Sequence, residues 1–228
     1  RDLPSIPHHE YEPWHRRFRD GIAFARSQRT VRTLLIGQSL ALVCFTIVVP
    51  IEVIYAKQSL GTTDAGFGLL LSCWGAGIVL GSLLFMVLKN RSGFGLIVLS
   101  SALVGVAYLG MSQAGVLWVA CAMSVVGGAG NGMQWVAVMT ALQEATPAEF
   151  QARMSGLLES LGAAMPGVGF LLGGLLTALG SPRTAFAFAG TGILVLVALA
   201  LVLRLRHERR GQTSTTTGKT MGRRLSRS

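Results

Sequence analysis

Between residues 33 and 203 the chain consists of long uncharged blocks separated by one or a few charges, and no other feature limits its possible folds so strongly. The blocks cover residues 33–51, 65–88, 92–143, 160–182 and 184–203. About 30 Å of hydrocarbon needs roughly 20 apolar residues of helix, so four blocks each hold one crossing and the longest holds two. The expected architecture is an all-α membrane protein with six transmembrane helices.

Composition agrees: 51% apolar residues, 13% charged and a mean hydropathy of +0.54 lie outside the range of soluble domains. Most blocks also lack the polar face that a helix on a soluble protein needs. Cys44, Cys73 and Cys121 fall inside predicted spans at unrelated spacings, which gives neither a disulfide framework nor a metal motif. No cofactor or metal is implied.

A net charge of +10 suggests nucleic acid until the positions of the charges are considered. Of the Lys and Arg residues, eighteen lie in the termini or in the connections after the second and fourth spans, and only Lys57 and Arg183 lie on the opposite side. By the positive-inside rule both termini are cytoplasmic, in a multi-pass protein of the cell membrane. The basic ends are topogenic, and the expected surroundings are a lipid bilayer, not nucleic acid.

The spans are placed at residues 31–55, 66–88, 94–111, 116–142, 154–179 and 185–205. Residues 1–30 form a cytoplasmic linker. Within it Trp14, Phe18, Ile22 and Ala25 recur at helical spacing opposite arginines, as in a helix lying in the membrane interface. Residues 206–228 are a basic tail with the composition of disorder. The chain starts with Arg and shows no apolar targeting run before residue 31, so an upstream segment is expected and the six helices read as half of a larger bundle.

Polar residues are unevenly shared among the spans. The third and sixth are mainly Leu, Val, Ala, Ile and Gly, whereas the first, second, fourth and fifth carry Gln38, Thr46, Glu52, Ser72, Trp74, Asn131, Gln134, Trp135, Thr140, Glu159 and Pro166. Polar groups at membrane depth face protein or a water-filled cavity. The order inner, inner, outer, repeated, suits two three-helix repeats around a cavity, the second inverted because three is odd.

Small-xxx-small pairs occur at Gly77/Gly81, Gly128/Gly132 and Gly169/Gly173, a spacing that allows helix backbones to approach closely. The run containing Gly128, Gly130 and Gly132 beside Asn131, and the pair Pro166-Gly167, are candidate flexing points; the competing reading is tight helix crossing.

Glu52 and Glu159 are the ionisable side chains well inside the spans, and an acid at a helix centre costs roughly 2.5–3.5 kcal/mol on insertion scales. Both are candidates for proton coupling; Glu52 alternatively reaches headgroups, and Glu159 alternatively pairs with Arg153. For substrate contact the candidates are Gln38, Trp74, Asn131, Gln134 and Trp135, with helix packing as the alternative for each. No basic residue lies at mid-depth, which favours apolar, neutral or cationic small molecules.

Two stretches resemble a known family. One is the basic helix over residues 18–32 leading into the first span. The other is Leu142-Gln143-Glu144-Ala145-Thr146-Pro147-Ala148-Glu149-Phe150-Gln151-Ala152-Arg153-Met154-Ser155-Gly156. Together with the glycine-rich residues 162–174 they resemble the C-terminal half of a major facilitator superfamily transporter, closest to the enterobactin- and macrolide-exporter branch. That resemblance implies helices seven to twelve of a twelve-helix secondary transporter, with a missing N-terminal six-helix half as partner and an ion gradient as energy source. The family's cytoplasmic Asp-Arg-x-Gly motif survives as Asn90, Arg91, Ser92 and Gly93, with Asn in place of Asp and Phe94 and Gly95 where basic residues are usual. These residues and Arg153 are the expected gating or loop positions.

An enzyme is disfavoured because His8, His9, His15 and His207 all lie outside the spans, leaving no histidine at membrane depth for nucleophilic or metal chemistry. A non-transporting scaffold or receptor-like subunit is the remaining alternative.

Overall fold

A computed structural model describes the backbone of residues 14–225 and the side chains of residues 19–206. Residues 1–13 of the linker, Ser226 to Ser228 and the side chains of Trp14 and Phe18 lie outside the described residues. The elements are α1 (Trp14–Ser27), α2 (Arg29–Thr46), α3 (Glu52–Ile54), α4 (Asp64–Leu88), α5 (Gly93–Gln113), α6 (Leu117–Glu144), α7 (Ala148–Leu179) and α8 (Pro182–Leu225). Five segments are long and apolar enough to cross a membrane: Arg29–Ser59, Asp64–Leu88, Gly93–Gln113, Ala148–Leu179 and Pro182–Arg206. At 28 residues α6 matches them in length, but its glycines with Asn131 and Gln134 make it less apolar.

Helix ends follow local chemistry. Pro147 and Pro182 stand at the starts of α7 and α8, where a missing N–H costs nothing. The Ser92 hydroxyl accepts the Gly95 N–H at 3.2 Å and caps α5. Gly61, with φ of 62°, supplies the left-handed turn before α4. The helical backbone of α8 continues to Leu225, through the tail read from composition as disordered.

The first span is not one regular helix. After Thr46 the chain passes through a 3₁₀ turn at Val49–Ile51, the single turn of α3 and a π-helical turn at Tyr55–Ser59. Pro50 is the local cause, since it cannot donate to the α-helical ladder. The rewound turns place Tyr55 so that its hydroxyl donates to the Met111 carbonyl at 2.5 Å.

Glycines set the helix crossings. A Cβ on Gly77 or Gly81 of α4 would strike the backbone of Val125, Gly128 or Ala129 of α6, and one on Gly132 would strike Ile78. Residue numbers rise together along both helices, so α4 and α6 run parallel. In the same way Gly169 and Gly173 of α7 lie on Val43, Thr46 and Ile47 of α2, again in parallel. Gly105 of α5 and Gly190 of α8 lie on each other's backbone in an antiparallel crossing. Such contacts are the principal source of helix association where lipid is as apolar as the side chains.

The largest core cluster lies toward the end of the bundle that contains the irregular turns. It joins Ile47, Tyr55, Tyr108, Met111, Phe186 and Ile193. At the other end α1 folds back onto the start of α7, with the Phe24 and Phe150 rings stacked at 4.4 Å. Ala25, expected to face the bilayer, is buried beside Val31, Leu35 and Met154. Exposed Val79, Leu80, Leu83 and Val87 of α4 and Leu171, Leu175 and Leu179 of α7 form apolar outer surface suited to hydrocarbon or another apolar partner.

Candidate functional site

The sequence-derived residues separate into three places. Glu52, half-buried on α3, lines a small cleft with Tyr55, Phe67, Leu70, Leu71, Trp74, Met111 and Ser124. The break around Pro50 brings Glu52 there. Trp74 forms one wall, with its ring 5.8 Å from Tyr108 and 5.9 Å from Phe45, so it belongs to an aromatic core and also borders the carboxylate. Tyr108 in turn meets Phe186 edge-on at 5.7 Å, and its hydroxyl donates to the Phe45 carbonyl at 3.3 Å. The cleft encloses about 10 Å³, room for about one water, so in this conformation the carboxylate can exchange a proton and has no space for an organic cation.

Gln38 and Gln134 occupy a second place. A cavity of about 170 Å³ between α2, α5, α6 and α8 is lined by both, together with Thr33, Gly37, Ala41, Phe94, Ile97, Ser101, Val138, Ile193, Val197 and others. Gln134 Nε2 donates to Ser101 Oγ at 3.1 Å. Such bonds between helices in a membrane are worth on the order of 0.6 kcal/mol.

Asn131 and Trp135 form the third. They are four residues apart on α6 and so share a face, and neither lines the cavity that Gln134 borders. Asn131 is half-buried and Trp135 is 41% exposed.

The other predicted residues lie outside these places. Glu159 is exposed on α7. With Gly173 level with Ile47, it stands about 20 Å or more along the bundle from Glu52, so the two acids do not form a pair. Arg153 lies over the Phe150 ring at 5.2 Å, and Lys57 forms an ion pair with Asp64 at 2.7 Å. Asn90 and Arg91 are exposed in the turn before α5, and Gly93 is exposed as its first residue. Gly128 and Gly132 meet α4 and Gly130 meets Ser100 and Val104 of α5, all within an uninterrupted α6. α7 likewise runs through Pro166 and Gly167.

Two features were not read from sequence. The irregular turns at residues 47–59 were missed although Pro50 signalled them. Arg183 was counted only as a charge, yet its guanidinium donates to the carbonyls of Ser112 at 3.3 Å and Ser59 at 3.1 Å, tying two helix ends to the start of α8.

A family model, the Major Facilitator Superfamily, matches residues 34–226. The chain belongs to that superfamily. Comparison with curated proteins finds no match. Membership in the superfamily identifies a membrane transporter of small molecules and not an enzyme. The six long helices and the cleft at Glu52 are therefore parts of a transport protein.

Proposed function

We propose that this chain is the C-terminal half of a twelve-helix secondary transporter, an exporter that exchanges protons for small apolar, neutral or cationic compounds by alternating access. In this reading α6 is the fourth of six spans, both termini are cytoplasmic, and the protein resides in the cell membrane with an N-terminal six-helix half as the opposite wall.

The glycine crossings support two inverted three-helix repeats. Exchanging the first span with the fourth, the second with the fifth and the third with the sixth maps Gly77/Gly81 on α6 onto Gly169/Gly173 on α2. It also maps the Gly105–Gly190 contact onto itself. Two repeats related by an axis in the membrane plane behave in this way.

The position of Glu52 carries the mechanistic reading. A carboxylate in a narrow aromatic cleft, on a segment whose backbone is irregular, takes up a proton as the cleft stands and a cationic substrate only once the cleft widens, and competition between the two couples their movements. Asn131 and Trp135 supply hydrogen-bonding and aromatic surface on another helix, and Glu159, at the far end, is a second candidate for proton release. Gly128, Gly130, Gly132, Pro166 and Gly167 are the positions about which α6 and α7 bend as the halves rock, with Asn90, Arg91, Gly93 and Arg153 at the connections.

The test is transport by the full-length protein in proteoliposomes under an imposed proton gradient, with a panel of cationic and neutral compounds. Glu52→Gln is expected to lower gradient-driven movement at least about tenfold while the protein stays folded. Unchanged transport with unchanged pH dependence would remove Glu52 from the mechanism, and no transport of any compound by the wild type would favour a scaffold.

A further inference from the structure

The cavity between α2, α5, α6 and α8 contains an unusual polar group. Gln38 is only 7% exposed, and its side chain makes no hydrogen bond to any described residue. Its amide atoms are not sealed off, since the buried side-chain polar atom without a partner among the described residues is Thr177 Oγ1, so the Gln38 amide is open to water or a ligand. Gln38 lines the cavity, so its donor and acceptor are available to whatever enters.

The rest of the lining restricts what that is. Across the cavity Gln134 and Ser101 bond each other, leaving the Gln134 carbonyl oxygen as a further acceptor. No charged side chain lines it, and the remaining walls are aliphatic apart from Thr33 and the ring of Phe94. At about 170 Å³ it slightly exceeds an apolar cavity of about 150 Å³ known to accept benzene, and it is smaller than the roughly 300 Å³ at which drug-sized pockets begin.

The geometry points to a second ligand site inside the six-helix bundle, one that takes a neutral, single-ring molecule bearing one hydroxyl or amide group, held by the Gln38 amide. None of Glu52, Asn131 and Trp135 lines this site, so its occupant need not be transported. Because residues of α2, α5, α6 and α8 all line the cavity, the ligand bridges the first, third, fourth and sixth spans.

The probes are 4-fluorophenol and fluorobenzene, titrated by ¹⁹F NMR against the full-length protein in lipid nanodiscs, with empty nanodiscs subtracting partition into lipid. Saturable binding of 4-fluorophenol by the wild type is expected. Gly37→Leu fills the cavity, and a Cβ there meets nothing within 4 Å, so the variant should fold and lose binding of both probes. Ala41→Leu is a second filling variant with the same expectation. Gln38→Leu should weaken 4-fluorophenol by about tenfold and leave fluorobenzene unchanged or tighter. Three results overturn the proposal: no saturable component in the wild type, undiminished binding after filling, or equal loss of both probes in Gln38→Leu.

Discussion

The two parallel crossings use the same device with different quality. Where α4 meets α6 both helices contribute glycine, with Gly77 and Gly81 facing Gly128 and Gly132. Where α7 meets α2 only α7 does, and Gly169 and Gly173 lie against Val43, Thr46 and Ile47. The first crossing joins two uninterrupted helices. The second joins α7, with an internal proline, to a helix that loses regularity at the point of contact. The contrast separates a wall that is regular on both sides from one that is irregular at its contact, and the irregular one leads into Glu52.

Substitutions at the glycines put that contrast at risk. Gly81→Leu drives a side chain into the Ala129 backbone of a continuous helix and should cost about 3 kcal/mol, the upper end of the overpacking range, read as a loss of thermal stability in detergent. Gly173→Leu meets the backbone of Ile47 where the chain leaves regular α-helix, and if that irregularity lets it yield the same measurement should show about 1–2 kcal/mol. Equal losses at the two positions would remove the distinction between the walls. Gly174→Leu, with nothing within 4 Å of its Cβ, should stay within about 0.5 kcal/mol and serves as the reference for substitution alone.

Sequence revealed the existence of the helices more readily than their orientation about their own axes. The uncharged blocks locate the apolar segments, and prolines 147 and 182 mark two helix starts, because length and caps are local properties. Small-xxx-small spacing picks out glycines 77, 81, 169 and 173 as contact residues, but not the helix that each one meets. In a bilayer the lipid-facing and protein-facing sides are both apolar, so periodicity does not give the azimuth. Gln38, Gln134, Asn131 and Trp135 therefore stood out as polar or aromatic residues of the spans, while the partner of Gln134, Ser101 on α5, did not. The break at residues 47–59 was signalled by Pro50 alone. The conspicuous run through Gly128, Gly130 and Gly132, by contrast, is enclosed by α4 and α5 and stays helical.

Arg183 has a consequence for the electrical asymmetry of the molecule. It sits on the carbonyls of Ser59 and Ser112, at the negative ends of two helix dipoles. Lys57, the other cation at that end, is matched by Asp64. The end of the bundle opposite the basic termini therefore offers an approaching ion or lipid headgroup little uncompensated positive charge. A cation at that end meets weaker repulsion than the formal count of two positive side chains implies.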